Sequence, residues 1–478
     1  MKIKYLLLSL VIITFTACID EDLEAPGGAE AVEITSGDAD FSRVVAMGAT
    51  LTAGYTDGAL FHQGQMNSYP NIMAGVMAHA GGGEFTQPYM NDNIGGLLVG
   101  GMQFQGPRLY FDGAGPATLP GTPTTEATNV MPGPYSNMAI PGCNAIHMLA
   151  PGYGSMAALM QGLANPYFVR MASNDNAQVI TDVIGQSPTF VSILSGFSDA
   201  LASATDGATS VSMGSVAEFQ FAFGTTMGAL GQMVPNGVVS NIPDVTNNPF
   251  FNLVGHDVVP LDAGTAGMLN GAFAPYNGGL LLAQSFGFLT ADEVAARTIV
   301  FAEGNNALVI DDSDLTNLSA LGLPSYRQAT ADDKILLSTA AIIGTLVGGN
   351  PMMINGVSVP LDDTRVLTAS EAAEIQTTIA GYNATISAIA NQSGWAMFDM
   401  HGFMETINSV GVTSGDLHLT GDLVFGGFYS LDGIHPTARG NAVIANAMME
   451  AIDSHYGSNL SDAAVYAGDY PTNYPPDM

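Results

Sequence analysis

Asp432, Gly433, Ile434 and His435 set a carboxylate and an imidazole three residues apart, ahead of Pro436 and a long amphipathic run. Such a pair can activate a hydroxyl. The histidine takes the proton, while the aspartate fixes the imidazole tautomer and stabilises the imidazolium that forms. The spacing lets both side chains face one side of a tight turn entering a helix. A hydroxyl to activate stands far upstream, where an apolar run ends in Gly48-Ala49-Thr50-Leu51-Thr52-Ala53-Gly54-Tyr55. Pro141-Gly142 closes a second short apolar segment, and Ser195-Gly196-Phe197-Ser198-Asp199 closes a third. Taken singly these signals are weak: Asp-x-x-His is often a helix cap with a nearby histidine, and Pro-Gly makes a turn whatever its purpose. Their placement is the stronger signal. Thr50, Gly142, Ser198 and the Asp432/His435 pair all fall at the exits of predicted strands, where active groups sit in open α/β sheets.

The elements that must position them alternate strand with helix, which predicts an α/β sandwich around a parallel sheet. Strands are expected over Arg43–Gly48, Asn137–Ile140, Thr189–Leu194, Gly237–Ile242 and Trp395–Asp399. Helices are expected over Ser68–Ala80, Gln178–Gly185, Val216–Met233, Thr368–Ser393 and Pro436–Ile452, the last with Pro436 in its first turn. Residues 81–135 are rich in Gly and Pro with short β-like runs and read as a long decorated loop. Residues 249–330 fit no simple βα unit and read as an inserted subdomain, and the tail 457–478 reads as peripheral.

These blocks resemble the SGNH (GDSL) hydrolase superfamily over roughly residues 40–450. The first block, Gly48 to Tyr55, is similar to that of a branch of large bacterial lipoproteins reading Gly-Asn-Ser-Leu-Thr-Ala-Gly-Tyr. Tyr429-Ser430-Leu431 before the aspartate and Thr437-Ala438-Arg439-Gly440 after the histidine belong to the same likeness. The resemblance implies an SGNH-type α/β/α sandwich (residues 39–456) and a catalytic set of Thr50, His435 and Asp432. It also implies an oxyanion site built from Gly142 and Ser198 with the Thr50 N–H. Two departures stand out. Thr50 occupies the nucleophilic serine position, where its extra methyl restricts χ1 in a tight turn. Ser198 occupies an asparagine position and is shorter than the amide it replaces. Losing one oxyanion donor costs about 10²–10³ in rate.

Lys2 and Lys4 followed by an apolar stretch from Tyr5 to Phe15 read as a signal peptide over residues 1–17, too short to span a membrane. Phe15-Thr16-Ala17-Cys18 resembles a bacterial lipobox, which implies acylation of Cys18 and an acidic tether over 18–38. The expected location is the cell envelope, lipid-anchored, at the outer membrane. With Cys18 acylated, Cys143 has no disulfide partner. The formal net charge is −33, and the leader carries two of the three lysines, leaving Lys334. Such a surface excludes nucleic acid as a partner and disfavours anionic lipid.

No cofactor is implied. Asp399, His401, His418 and Asp422 lack diagnostic ligand spacing, so no metal site is expected. Cys143 is a poor candidate nucleophile, since nothing near it in sequence lowers its pKa. Two functions remain open. One is an ester hydrolase of lipase, esterase or acylhydrolase type acting on a small-molecule, lipid or glycan ester. The other is a lipoprotein that keeps the cleft for binding and has lost catalysis.

Overall fold

Val44–Met47 (β1), Phe190–Leu194 (β2), Asn236–Ser240 (β3) and Ala396–Phe398 (β4) form one parallel sheet, in that order across it. The computed structural model describes residues 32–131 and 133–478. The expected leader, the Cys18 acylation site and most of the tether lie outside the described residues. Every residue of β1 and β2 is buried. That is why these segments read as apolar runs, interrupted only by the buried Ser192: a parallel sheet is covered on both faces.

The register pairs Val45 with Val191 and Val191 with Gly237. The expected strand at 137–140 reaches the sheet by a single bridge, Asn137 to Ala46.

The one-turn helix α1 (Thr50–Ala53) follows β1. A side chain at Gly48 would meet Thr52 Oγ1 at 2.2 Å, so only glycine lets the strand turn into the helix there. Helix α2 (Tyr69–Met77) packs with the last helix on one face of the sheet. Helices α3 (Phe197–Thr205) and α4 (Val216–Gly231) cover the other, after which a long helix α5 (Ala263–Ser285) leaves the sandwich. Helix α6 (Ala369–Ser393) returns to α4's layer, and α7 (Ala438–Tyr456) joins α2. Ser192 of β2 faces Met448 of α7, while Phe219 of α4 stacks on Tyr382 of α6 at 3.9 Å. The α/β class and parallel sheet are as the sequence predicts.

Capping explains the helix limits. Thr368 and Glu371 satisfy each other's backbone N–H at the start of α6, and Gly394 ends it in the left-handed region at φ 68°. Helix α7 starts at Ala438 rather than Pro436, because Thr437 Oγ1 accepts the Gly440 N–H at 2.9 Å and takes the cap. Pro436 instead gives its carbonyl to Thr56 Oγ1 at 2.9 Å, tying the site's two loops together.

The short β-like runs of residues 81–135 pair as two hairpins, Leu97–Val99 with Met102–Gln105 and Leu109–Phe111 with Pro116–Thr118. Two further expectations are revised. The inserted segment has its own apolar core, running from Val259 to Val366 rather than stopping near 330. Its short strands and turns carry no long periodicity, so its end is not visible in sequence. The tail is not peripheral: Leu460, Ala467 and Tyr474 are buried, and the buried Arg108 donates to the carbonyls of Tyr474 and Pro475.

Candidate active site

At the strand exits lies a cleft of about 950 Å³, lined by Thr50, Gly142, Asp432 and His435 together with Tyr55, Tyr153 and Tyr167. The structure thus brings together four of the five candidate site residues of the folded domain. Ser198 is the exception. It sits buried in the first turn of α3 and does not line this cleft.

Asp432 is held from all sides. Its Oδ2 accepts His435 Nδ1 at 2.8 Å and the Gly58 N–H at 2.9 Å. Its Oδ1 accepts the N–H groups of Ile434 and His435, both at 2.8 Å, and the Ser430 hydroxyl at 3.0 Å. Burial alone would raise its pKa. The imidazole beside it and these hydrogen bonds outweigh burial and hold it below the usual carboxylate range. The carboxylate therefore fixes the proton on Nδ1 and leaves Nε2 as an acceptor. Tyr55 tilts against the imidazole at 4.8 Å and Phe197 meets it edge-on at 6.4 Å, restricting the ring.

His435 Nε2 is buried and has no hydrogen-bond partner among the described residues. The same holds for Thr50 Oγ1 and the Tyr167 hydroxyl. Buried polar atoms are nearly always paired. Three orphaned atoms on residues lining one cleft mark a place prepared for a ligand's polar groups. Backbone donors are free there too. Ala49, at the N-cap of α1, has no side chain to cap the turn, and the Thr50 N–H donates to no described acceptor. The Gly142 N–H is also unpaired among the described residues, at a turn with φ 76° that glycine favours. Two N–H donors, an orphaned hydroxyl and a histidine acceptor can together serve acyl transfer.

Several contributors escaped the sequence. Asp57 is one. Its Oδ1 accepts the Leu431 N–H at 3.0 Å, and its own N–H donates to Ser430 Oγ at 3.0 Å. It thereby fastens the loop after α1 to the loop carrying Asp432. Burial, reinforced by the nearby Asp432 charge, raises its pKa to about 7 against the pull of Leu431 and Arg108. Asp57 also holds a left-handed φ of 52°, rare outside glycine. Adjacency to Gly58 was the only local hint. His147 lines the cleft, stacked on Tyr153 at 4.6 Å, and burial lowers its pKa. Its Nδ1 accepts the Asn144 N–H, so it serves as a cap. Cys143 is buried away from the cleft lining, and burial with the Asp199 charge pushes its thiol pKa up.

No residue lining the cleft is Lys or Arg. Its walls are apolar at Val99, Phe104, Leu159, Leu163, Leu201 and Ile434. Fold and cleft together define an α/β protein with a parallel sheet and a histidine–aspartate pair at its strand exits. No family model and no curated protein matches the chain. Among solved structures it is similar to an α/β hydrolase from the metagenome of Lake Arreo, Spain, at 10% identity, covering 87% of this chain and 96% of that one, TM-score 0.32. A GDSL-like lipase from Parabacteroides merdae matches at 10% identity, over 87% and 98% of the two chains, TM-score 0.33. An acetylxylan esterase from Geobacillus stearothermophilus matches at 11% identity, over 89% and 98%, TM-score 0.32. At these values the functional reading rests on the cleft itself.

Proposed function

We propose that this chain is an SGNH-type ester hydrolase of low turnover, with Thr50 as nucleophile, His435 as base and Asp432 as its orienting carboxylate. One observation carries the reading: Thr50 Oγ1 and His435 Nε2 are both buried, both unpartnered and both on residues of the same cleft. In the first half-reaction Thr50 Oγ bonds to the ester carbonyl carbon as its proton passes to His435 Nε2. The carbonyl oxygen becomes an oxyanion facing the Gly142 and Thr50 N–H groups. Collapse breaks the bond to the alcohol, which leaves with the proton from His435. Water then releases the acid by the same route. Apolar walls without a cation favour a neutral acyl ester over a phosphorylated or acidic one.

The leader and the Cys18 motif support a lipid-anchored form in the cell envelope, at the outer membrane. A second reading, an SGNH-fold binding lipoprotein without turnover, draws on the threonine nucleophile. It draws also on the lack of a Thr50–His435 hydrogen bond and on Ser198 lying off the cleft.

Hydrolysis of short and medium p-nitrophenyl esters by a soluble form lacking Cys18 separates the two. The Thr50 methyl restricts χ1, and an off-rotamer side chain costs roughly 0.5–1.5 kcal/mol. Thr50→Ser is therefore expected to raise kcat/KM by up to about 10-fold. His435→Ala should abolish turnover in both backgrounds. Saturable ester binding with no turnover in wild type or Thr50→Ser would establish the binding reading instead.

A further inference from the structure

We propose that the Tyr167 hydroxyl is the third oxyanion donor of this cleft, whose lining does not include Ser198. The inference rests on the ester-hydrolase reading above. Tyr167 is 7% exposed, lines the cleft, and its hydroxyl has no hydrogen-bond partner among the described residues. A buried phenol O–H normally finds an acceptor. Here the acceptor has to come from what enters the cleft.

Asn165 fixes the placement of Tyr167. Asn165 caps the short helix Pro166–Val169, its Oδ1 accepting the Tyr167 N–H at 2.9 Å. The same side chain donates through Nδ2 to the Pro141 carbonyl at 2.8 Å. One amide therefore sets Tyr167 relative to the Pro141-Gly142 turn, whose free N–H is the expected oxyanion donor. Tyr55 lines the same cleft as Tyr167 and rests against His435 at 4.8 Å. Tyr167, Gly142 and His435 thus share one cleft.

The chemistry suits the site. Burial raises the phenol's pKa against the nearby Arg170 charge, so it stays a donor at any working pH. A phenol O–H aimed at a developing oxyanion strengthens its hydrogen bond as charge forms, without giving up its proton. The aromatic ring carries that hydroxyl further from the backbone than the serine side chain reaches at 198. In this cleft a tyrosine from the segment after Gly142 would supply what an asparagine at the start of α3 would otherwise supply.

Tyr167→Phe tests this in wild type and in Thr50→Ser, with p-nitrophenyl ester kinetics, thermal unfolding and binding of an alkylboronic acid, whose trigonal boron becomes tetrahedral when the hydroxyl oxygen of residue 50 bonds to it and the hydroxyl proton passes to His435. The hydroxyl makes no hydrogen bond among the described residues, so the melting temperature should hold or rise. The expected result is a fall in kcat of about 10²-fold with KM little changed, and a matching loss of boronate affinity. His435-dependent turnover that survives Tyr167→Phe within a factor of three overturns the donor role while leaving the hydrolase reading intact. A fall in kcat that tracks a fall in melting temperature would also overturn it, marking Tyr167 as structural. Absence of turnover and of boronate binding in both parent backgrounds overturns the hydrolase reading, and the donor role with it.

Discussion

Replacing Asp57 by asparagine should make the protein more stable, and more so as the pH rises. Asp57 carries a folded-state pKa of about 7 against an ordinary 3.8, chiefly because it is buried. The sign follows from proton counting. Between those two values the unfolded chain has released the proton that the folded chain keeps, so stability falls with rising pH and levels off above about 7. Each pH unit in that window is worth about 1.4 kcal/mol, so the ionised buried carboxylate costs roughly 4 kcal/mol in full. Asparagine does not titrate, keeps an oxygen for the Leu431 N–H, and tolerates the left-handed φ of 52° that Asp57 holds. The stability advantage of Asp57→Asn over wild type should therefore widen by about 3 kcal/mol between pH 5 and pH 8. Urea unfolding of both proteins at the two pH values measures it. Asp57→Ala is the companion variant. It strands the Leu431 N–H, and Leu431 is 2% exposed, so about 1–3 kcal/mol should be lost relative to asparagine at either pH. A stability gap between asparagine and wild type that is the same at both pH values would refute the burial of an ionising Asp57.

Two other expectations need only the folded protein. Cys143 is 2% exposed with its thiol pKa raised, so a form lacking Cys18 should resist a disulfide reagent at pH 8 and react fully once denatured. Prompt labelling of the native form would contradict that placement. In the inserted segment Arg327 holds Asp333 through two hydrogen bonds of 2.6 and 2.8 Å and pairs with Asp312 as well. Arg327→Met would leave two buried carboxylates unpaired and should cost about 3–5 kcal/mol, read as a lower melting temperature and proteolysis within 259–366. Unchanged melting would show that the insertion does not depend on this pair.

The sequence by itself determined the local facts. Apolar runs at 44–47 and at 190–194, the second broken only by the buried Ser192, are strands of a two-sided sheet because such strands have no solvent face to mark with alternating polar residues. Asp432 and His435 meet because two residues of a turn, Gly433 and Ile434, are all that separates them, and the chain stiffness between them leaves little choice. What long-range packing decided was invisible in the same way for every residue concerned. Asp57 reaches the Asp432 loop across more than half the chain, Tyr167 comes to the cleft through a single asparagine, and the tail closes over Arg108. Ser198 enters the first turn of a helix and is not among the residues that line the cleft. A motif records which residues stand side by side along the chain. Which orphaned hydroxyl shares a cleft with which histidine depends on how the loops at the strand exits pack, and those contacts join segments whose sequences carry no trace of one another.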